Sequence, residues 1–328
     1  MSVKLVVLCK YDRNATVLMQ HIAGHEPQLV KDRSSLAAAL VDADVLLLSN
    51  AGLAFRFVDE AVLAAAPRLR LVQLFGVGWD ALDLDAATRR GISVASVPGA
   101  NNMSVAEIAL FLLFAVAKKA RLMERAWREG RLGVPEGVEL CGKTLCIVGF
   151  GRIGLMVAVR ARALGMNVVA VNRSANWAMA KAVGAQTAYG VDDLPEALRQ
   201  ADAVLLTVPL DEATRGMMNA ATLATMPPGS FLVNVARGAV VDRAALAAAL
   251  DSGHLAGYGT DVWWEEPARP DDPLLQRDDV FFAPHIGGAT AEAMALQGRI
   301  IRENLDRVAG GLPPRHLVNA RVSRDAGR

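Results

Sequence analysis

Short, unbroken apolar runs alternate along the chain with stretches of helical periodicity. In the first hundred residues "LVVLC", "VLLLS", "LVQLF" and "ISVASV" are rich in Val, Leu and Ile, as strands covered on both faces are. Val3 to Cys9 reads as the first strand. Between these runs, "SSLAAAL" and "FVDEAVLAAA" place apolar residues at helical spacing. Strands alternating with helices predict a parallel sheet with helices packed on it.

One long helical segment, about Met103 to Arg131, then interrupts the alternation. Ser104 and Glu107 within "SVAE" have the form of a capping box at its start. Its apolar stretch, Ile108 to Ala117, is about half of the roughly 20 residues a membrane-spanning helix needs, so it reads as a buried helix. After "RLGVPEGVELCGK" a second series follows: "TLCIVG", "NVVAVN", "AVLLTV", "SFLVNV", "LAGYGT" and "VFFAP". The last helix is expected at about Thr290 to Gly310, and no strand series remains for a third domain. The fold class predicted is α/β, with two doubly wound parallel-sheet domains of Rossmann-like or flavodoxin-like kind.

Composition narrows the partners. The chain has 328 residues, 53% of them hydrophobic, enough for two domains each with a core of its own. Lys and Arg number 35 against 34 Asp and Glu, a net charge of +1, which argues against nucleic acid or an anionic membrane surface as partner. The amino terminus "MSVKLVVLCKYDR" lacks a secretory pattern. Cys9, Cys141 and Cys146 are odd in number and lack metal-ligand spacing, which suits a reducing cytoplasm and implies no metal site. Cys9 and Cys146 are expected in strands as small hydrophobes.

"CIVGFGRIGLMVAVRARALG" places Gly149, Gly151 and Gly154 in G-x-G-x-x-G spacing between a strand and a helix. The first glycine permits the tight turn, the second a close approach of pyrophosphate, and the third close packing of helix on strand. The free N–H groups of the helix then face the phosphates. A dinucleotide site of this kind usually has an acid at the end of the following strand, but "NVVAVNRSAN" ends in Asn172, Arg173 and Ser174. Arg173, with the Ser174 hydroxyl, suits the 2′-phosphate of NADP, pointing to NADP or dual use. In the alternative, Arg173 is an ordinary surface arginine and Asn172 serves NAD with a weaker hydrogen bond.

"NVARGAVVD", "GTDVWWEEP" and "APHIGG" place Arg237, Asp261, Glu266 and His285 at or just after strand ends, where open α/β sheets bind ligands. Singly, each has an ordinary structural explanation; their joint placement beside a dinucleotide site points to reduction of a 2-oxo acid. Histidine is the natural proton donor near neutral pH, and a carboxylate beside it favours the imidazolium. The planar fork of arginine suits a carboxylate. His285 is therefore expected as acid/base, Glu266 as its partner and Arg237 as the substrate clamp.

The chain resembles the D-isomer-specific 2-hydroxyacid dehydrogenases through "GANNMSVAE", "VGFGRIG", "TVPLDEATRGMMN", "MPPGSFLVNVARGAVVD", "DVWWEEP" and "PHIGGAT", in the family's order. The resemblance implies a cofactor domain at 101–288 and a substrate domain made of 1–100 plus 289–328. The active site would lie in the cleft between them, with a hinge near Asn101 and Gly287. Arg237, Glu266 and His285 match the family's catalytic trio, and Val77 and Gly78 the loop holding the substrate carboxylate. Asp261 matches the residue meeting the nicotinamide carboxamide; Val208, Pro209 and Thr214 match the adenosine-side loop. Arg152, Ile153, Val235, Ala236, His285 and Gly288 complete the implied cofactor lining. A homodimer through the cofactor domain is also implied, with the long helix after Ser104 in the interface.

Departures refine the expectation. Glu266 stands where formate dehydrogenases of the superfamily carry Gln, which disfavours formate. The chain stops soon after "HLVNA", without the tail of longer phosphoglycerate dehydrogenases. Trp263 and Trp264 would either narrow the cleft or pack in the core, and packing is the favoured expectation. Asn172 and Arg173 resemble members that accept NADP, such as glyoxylate and hydroxypyruvate reductases. The expected function is NAD(P)-dependent reduction of a small glyoxylate- or hydroxypyruvate-like 2-oxo acid. The alternatives are a nicotinamide-sensing corepressor and a 3-phosphoglycerate-type dehydrogenase, for which Arg13 and Arg56 would supply charge.

Overall fold

Every apolar run quoted above forms a strand, and alternate side chains of each face different cores. In the computed structural model, which describes residues 2–9, 19–20, 22, 24–49, 58–79, 82–173 and 177–319, the chain divides into two units. One comprises Met1–Asn101 and Gly288–Arg328, the other Asn102–Gly287.

The first unit contains β1 (Lys4–Leu8), β2 (Glu26–Val30), β3 (Val45–Leu48), β4 (Leu71–Leu74) and β5 (Ser93–Ala95), all parallel in the order β2-β1-β3-β4-β5. This is the flavodoxin-like order. Val6, Leu8, Leu46, Leu48 and Val72 enter one core, while Leu5, Val7, Val45, Leu47 and Leu71 enter another shared with Ile301 and Leu305 of the helix Ala291–Ala309. Asp32, Asp59 and Asp83 cap the helices that begin after them by accepting the N–H groups of Ser35, Val62 and Ala86. Gln73 is fully buried: its Oε1 accepts from Asn304 Nδ2 at 2.7 Å, and its Nε2 donates to the Leu74 carbonyl at 2.9 Å. The tail then closes the edge of the sheet. Asn319 Oδ1 accepts the Val94 N–H at 2.7 Å, and Leu317 bridges Ala95 in antiparallel sense.

The second unit holds β6 (Thr144–Val148), β7 (Asn167–Asn172), β8 (Thr187–Gly190), β9 (Ala203–Leu206), β10 (Ser230–Asn234), β11 (Leu255–Thr260) and β12 (Val280–Phe282). All are parallel, in the order β12-β11-β10-β9-β6-β7-β8. Strand order reverses at the β6/β9 neighbourhood, so a crevice opens at the carboxyl ends of those two strands, as in dinucleotide-binding sheets. Leu145 and Ile147 face one core, Cys146 and Val148 the other. Burial pushes the Cys146 thiol up to about 12, leaving it unreactive. Cys9 is buried beside β1, and Cys141 is exposed.

Three local expectations are corrected. The segment expected as one helix from Met103 to Arg131 is two, Asn102–Ala117 and Ala120–Arg128, broken at Lys119, whose φ is +55°. Val138 N–H closes on the Ala117 carbonyl, and the Arg121 guanidinium is taken up by the carbonyls of Leu275, Arg277 and Val280, which anchors the second helix on its own course. Because the first helix already starts at Asn102, Ser104 lies inside its first turn and cannot form the capping box expected with Glu107. Two strands were not foreseen, β2 and β8; both lie at sheet edges, where the apolar pattern is weakest. Among the described residues no helix is long and apolar enough to cross a membrane.

Candidate active site

The glycine turn after β6 separates packing from ligand needs. Gly149 has φ +102°, and a Cβ there would stand 2.8 Å from the Thr207 and Val208 backbone. At Gly154 a Cβ would stand 2.5 Å from the Gly149 carbonyl oxygen. Both glycines are therefore required by the protein's own packing. A Cβ at Gly151 would meet nothing within 4 Å, so packing gives no reason for its smallness; it leaves room for an approaching group. Gly151 is also the N-cap of the helix Arg152–Ala163 and supplies no side-chain cap, unlike Asn219, Asp242 and Thr290 at other helix starts. The free N–H groups of that terminus suit a pyrophosphate, so these residues fit a dinucleotide.

Around this turn, Arg152 is exposed and Ile153 half-buried at the head of the helix, and Val208 and Pro209 follow β9 across the crevice. The Thr214 hydroxyl donates to the Pro209 carbonyl at 2.7 Å, so it holds the loop's shape. Asn172 ends β7 with its Oδ1 accepting the Arg173 N–H at 3.0 Å. The Arg173 guanidinium donates to Asp211 at 2.9 Å, a partner that sequence reasoning missed. Ser174, Arg13 and Arg56 lie outside the described residues, as does most of "LSNAGLAFR".

The catalytic candidates gather at the carboxyl ends of β10, β11 and β12. After β10, Val235 and the buried Ala236 lead to Arg237, and the fully buried Asn234 braces this turn. Asn234 Oδ1 accepts the Ala236 N–H and its Nδ2 donates to the Arg237 carbonyl, both at 2.9 Å. Asn234 is the second residue missed; its place at a strand end, three positions before an arginine, was the available signal.

His285 Nδ1 lies 2.7 Å from Glu266 Oε2, and Glu266 Oε1 accepts the Trp263 N–H at 3.0 Å. Burial pushes the Glu266 carboxyl up, but its hydrogen bond to His285, the charges of His285 and Arg237 and the Trp263 N–H more than offset this and hold it below the usual range. Burial pushes His285 down, and Glu266, with the charge of Asp261, overcomes both that and the opposing Arg237 charge, so its pKa lies above 6.5. The side chain still keeps 42% of its surface open, so its far nitrogen can reach a ligand.

Asp261 is buried after β11 and accepts the N–H groups of Ile286 and Gly287, each at 2.8 Å. Burial pushes its carboxyl up to about 6 against the charge of His285 and those two N–H groups. Asp261 thus fixes the turn in which His285 sits at φ +54°, a strained value for a residue with a side chain. Trp263 is buried and its indole N–H donates to Asp272 at 2.9 Å; that of Trp264 donates to the Val241 carbonyl at 2.7 Å. Their rings meet edge to face at 5.0 Å, so both are packing residues, as expected. In the first unit, the half-buried Val77 and Gly78 follow β4, and Gly288 packs against Asn101, 2.9 Å from where its Cβ would be.

The family model for the D-isomer specific 2-hydroxyacid dehydrogenase, NAD binding domain, matches residues 110–287. The chain belongs to this family. It is 40% identical over 291 residues to a glyoxylate reductase of Pyrococcus furiosus, covering 86% of this chain and 83% of that protein. A D-3-phosphoglycerate dehydrogenase of Archaeoglobus fulgidus is 39% identical over 264 residues, 80% of this chain but 49% of the relative. The chain thus spans about half the length of the phosphoglycerate dehydrogenases it matches. Among solved structures, an NADPH-dependent glyoxylate/hydroxypyruvate reductase from Sinorhizobium meliloti, in complex with NADP and malonate, superposes with a TM-score of 0.84 at 28% identity, covering 98% of this chain and 97% of that one. The resemblance and the fold class drawn from sequence are both borne out.

Proposed function

We propose that the protein is an NAD(P)-dependent D-2-hydroxyacid dehydrogenase reducing a small 2-oxo acid of the glyoxylate or hydroxypyruvate kind. The observation that carries this reading is the 2.7 Å contact between His285 and Glu266, with the Arg237 charge acting on both. The exposed face of His285 offers a proton to the carbonyl oxygen, and Glu266 keeps the imidazolium populated near neutral pH. Arg237, braced by Asn234, takes the substrate carboxylate. A dihydronicotinamide bound beyond the glycine turn would supply the hydride. Gly149, Gly151, Arg152, Ile153 and Gly154 would hold the pyrophosphate, with Val208, Pro209 and Thr214 on the adenosine side. Val235, Ala236 and Asp261 would lie toward the nicotinamide.

The 40% identity to a glyoxylate reductase, over 83% of that protein, supports the small acids. We take NADP or dual use from Arg173. A homodimer through the Asn102–Gly287 unit is supported by the exposed Phe111 and Trp127 on its first two helices, and three cysteines, odd in number, suit a cytoplasmic setting.

The test is initial rates of NADPH and NADH oxidation, side by side, with glyoxylate, hydroxypyruvate, pyruvate, phosphohydroxypyruvate and a bulkier 2-oxo acid. Turnover of the small acids is expected. Absence of turnover with all of them would overturn the proposal, and preference for the phosphorylated acid would replace its substrate class.

A further inference from the structure

We infer that Asp211 sets the cofactor preference of this site, standing in for the acid that the end of β7 lacks. The inference rests on the dinucleotide reading of the glycine turn. Asp211 comes from the loop after β9, two strands from β7 in the sheet, and its Oδ2 accepts from Arg173 Nη2 at 2.9 Å. It is not a loosely placed partner. Its Oδ1 accepts the N–H groups of Ala213 and Thr214, each at 3.0 Å, and its own N–H donates to the Thr214 hydroxyl at 2.9 Å. The loop is folded around this carboxylate, and the flexible member of the pair is the arginine, 79% exposed.

The consequence is a contest for one cation. A 2′-phosphate reaching Arg173 must share it with a fixed negative charge, whereas a ribose with a free 2′-hydroxyl meets no such repulsion. Asn172 does not alter the balance, because its side-chain oxygen is turned onto the Arg173 N–H. An exposed pair of this kind adds little to stability, so it opens at small cost when phosphate arrives. The site therefore accepts both cofactors, with Asp211 restraining NADPH.

Asp211→Asn tests this, since asparagine keeps an oxygen for the Ala213 and Thr214 N–H groups and loses the charge and the oxygen that hold Arg173. Dissociation constants for NADPH, NADH and 2′,5′-ADP are measured by calorimetry at low and high salt. Asp211→Asn is expected to tighten NADPH and 2′,5′-ADP roughly five- to tenfold at low salt, to leave NADH within about twofold, and to lose most of the gain at high salt. Arg173→Ala should weaken the two phosphorylated probes and abolish the gain in the double variant. If Asp211→Asn shifts NADPH and NADH equally, or neither, Asp211 only shapes the loop and the inference falls alone. If the unaltered protein binds none of the three probes, the dinucleotide reading falls and takes the inference with it.

Discussion

His285 and Glu266 are joined through Nδ1 and Oε2 at 2.7 Å, and the backbone N–H of Trp263 holds the other oxygen of the same carboxylate at 3.0 Å. The imidazole is thus oriented from behind by a group that is itself fixed.

The proposed reduction would consume the protonated form of His285, whose pKa is raised above 6.5. The kcat/KM for a 2-oxo acid should therefore hold its level past pH 6.5 and fall as pH rises through the raised value. Glu266→Gln keeps the bond to Trp263 but removes the charge, so the alkaline fall moves to lower pH and the plateau drops about 10²- to 10⁴-fold. A profile of unchanged shape in this variant would show that Glu266 does not tune the histidine.

His285→Gln removes the proposed proton donor and leaves the glycine turn untouched. The expected result is loss of kcat by at least about 10²-fold, with the dissociation constant for NADH within about threefold of the original. Equal loss of binding and turnover would assign His285 a structural role instead.

Asp261 has a folded pKa of about 6, above the roughly 3.9 of an unfolded aspartate. The folded state binds this proton more tightly, so the contribution is full below pH 4 and is lost as pH rises through 6. Asp261→Asn carries no charge at any pH. Denaturant unfolding of the two proteins should show the original losing roughly 1 kcal/mol relative to the variant between pH 5 and pH 8. A constant difference across that range would mean that Asp261 stays ionised throughout.

Two of the fingerprint glycines, Gly151 and Gly154, should part company on substitution by alanine. Gly154→Ala, with a carbonyl oxygen 2.5 Å from the new Cβ, should destabilise the fold by about 1–3 kcal/mol. Gly151→Ala meets open space, so its melting temperature should hold while cofactor affinity falls. Thermal melts paired with NADH titration separate the two, and a melt of Gly151→Ala as low as that of Gly154→Ala would assign both to packing.

The central strands were legible because both faces are buried: "LCIV" in β6 and "FLV" in β10 run apolar without a break. The edge strand β2 was not, since "EPQLV" mixes Pro27 and Gln28 into its five residues, and "TAYG" at the other sheet's edge is only four long. The helix break at Lys119 had no glycine or proline to announce it; it follows from distant carbonyls that capture Arg121. His285, Glu266 and Arg237 were readable as residue types at strand ends. Asp211 was not, because its contact with Arg173 spans 38 positions and depends on which strands become neighbours.

The bond between Gln73 and Asn304 crosses 231 positions, whereas Asn102–Gly287 is one uninterrupted stretch with all of its own sheet inside it. During synthesis the second unit therefore holds every strand it needs before the helix Ala291–Ala309 exists. The first unit cannot cover its sheet or close its edge until Leu305, Leu317 and Asn319 have emerged. On the ribosome, of these two units, the one begun first is the one finished last, and its apolar strands are the ones left waiting for cover.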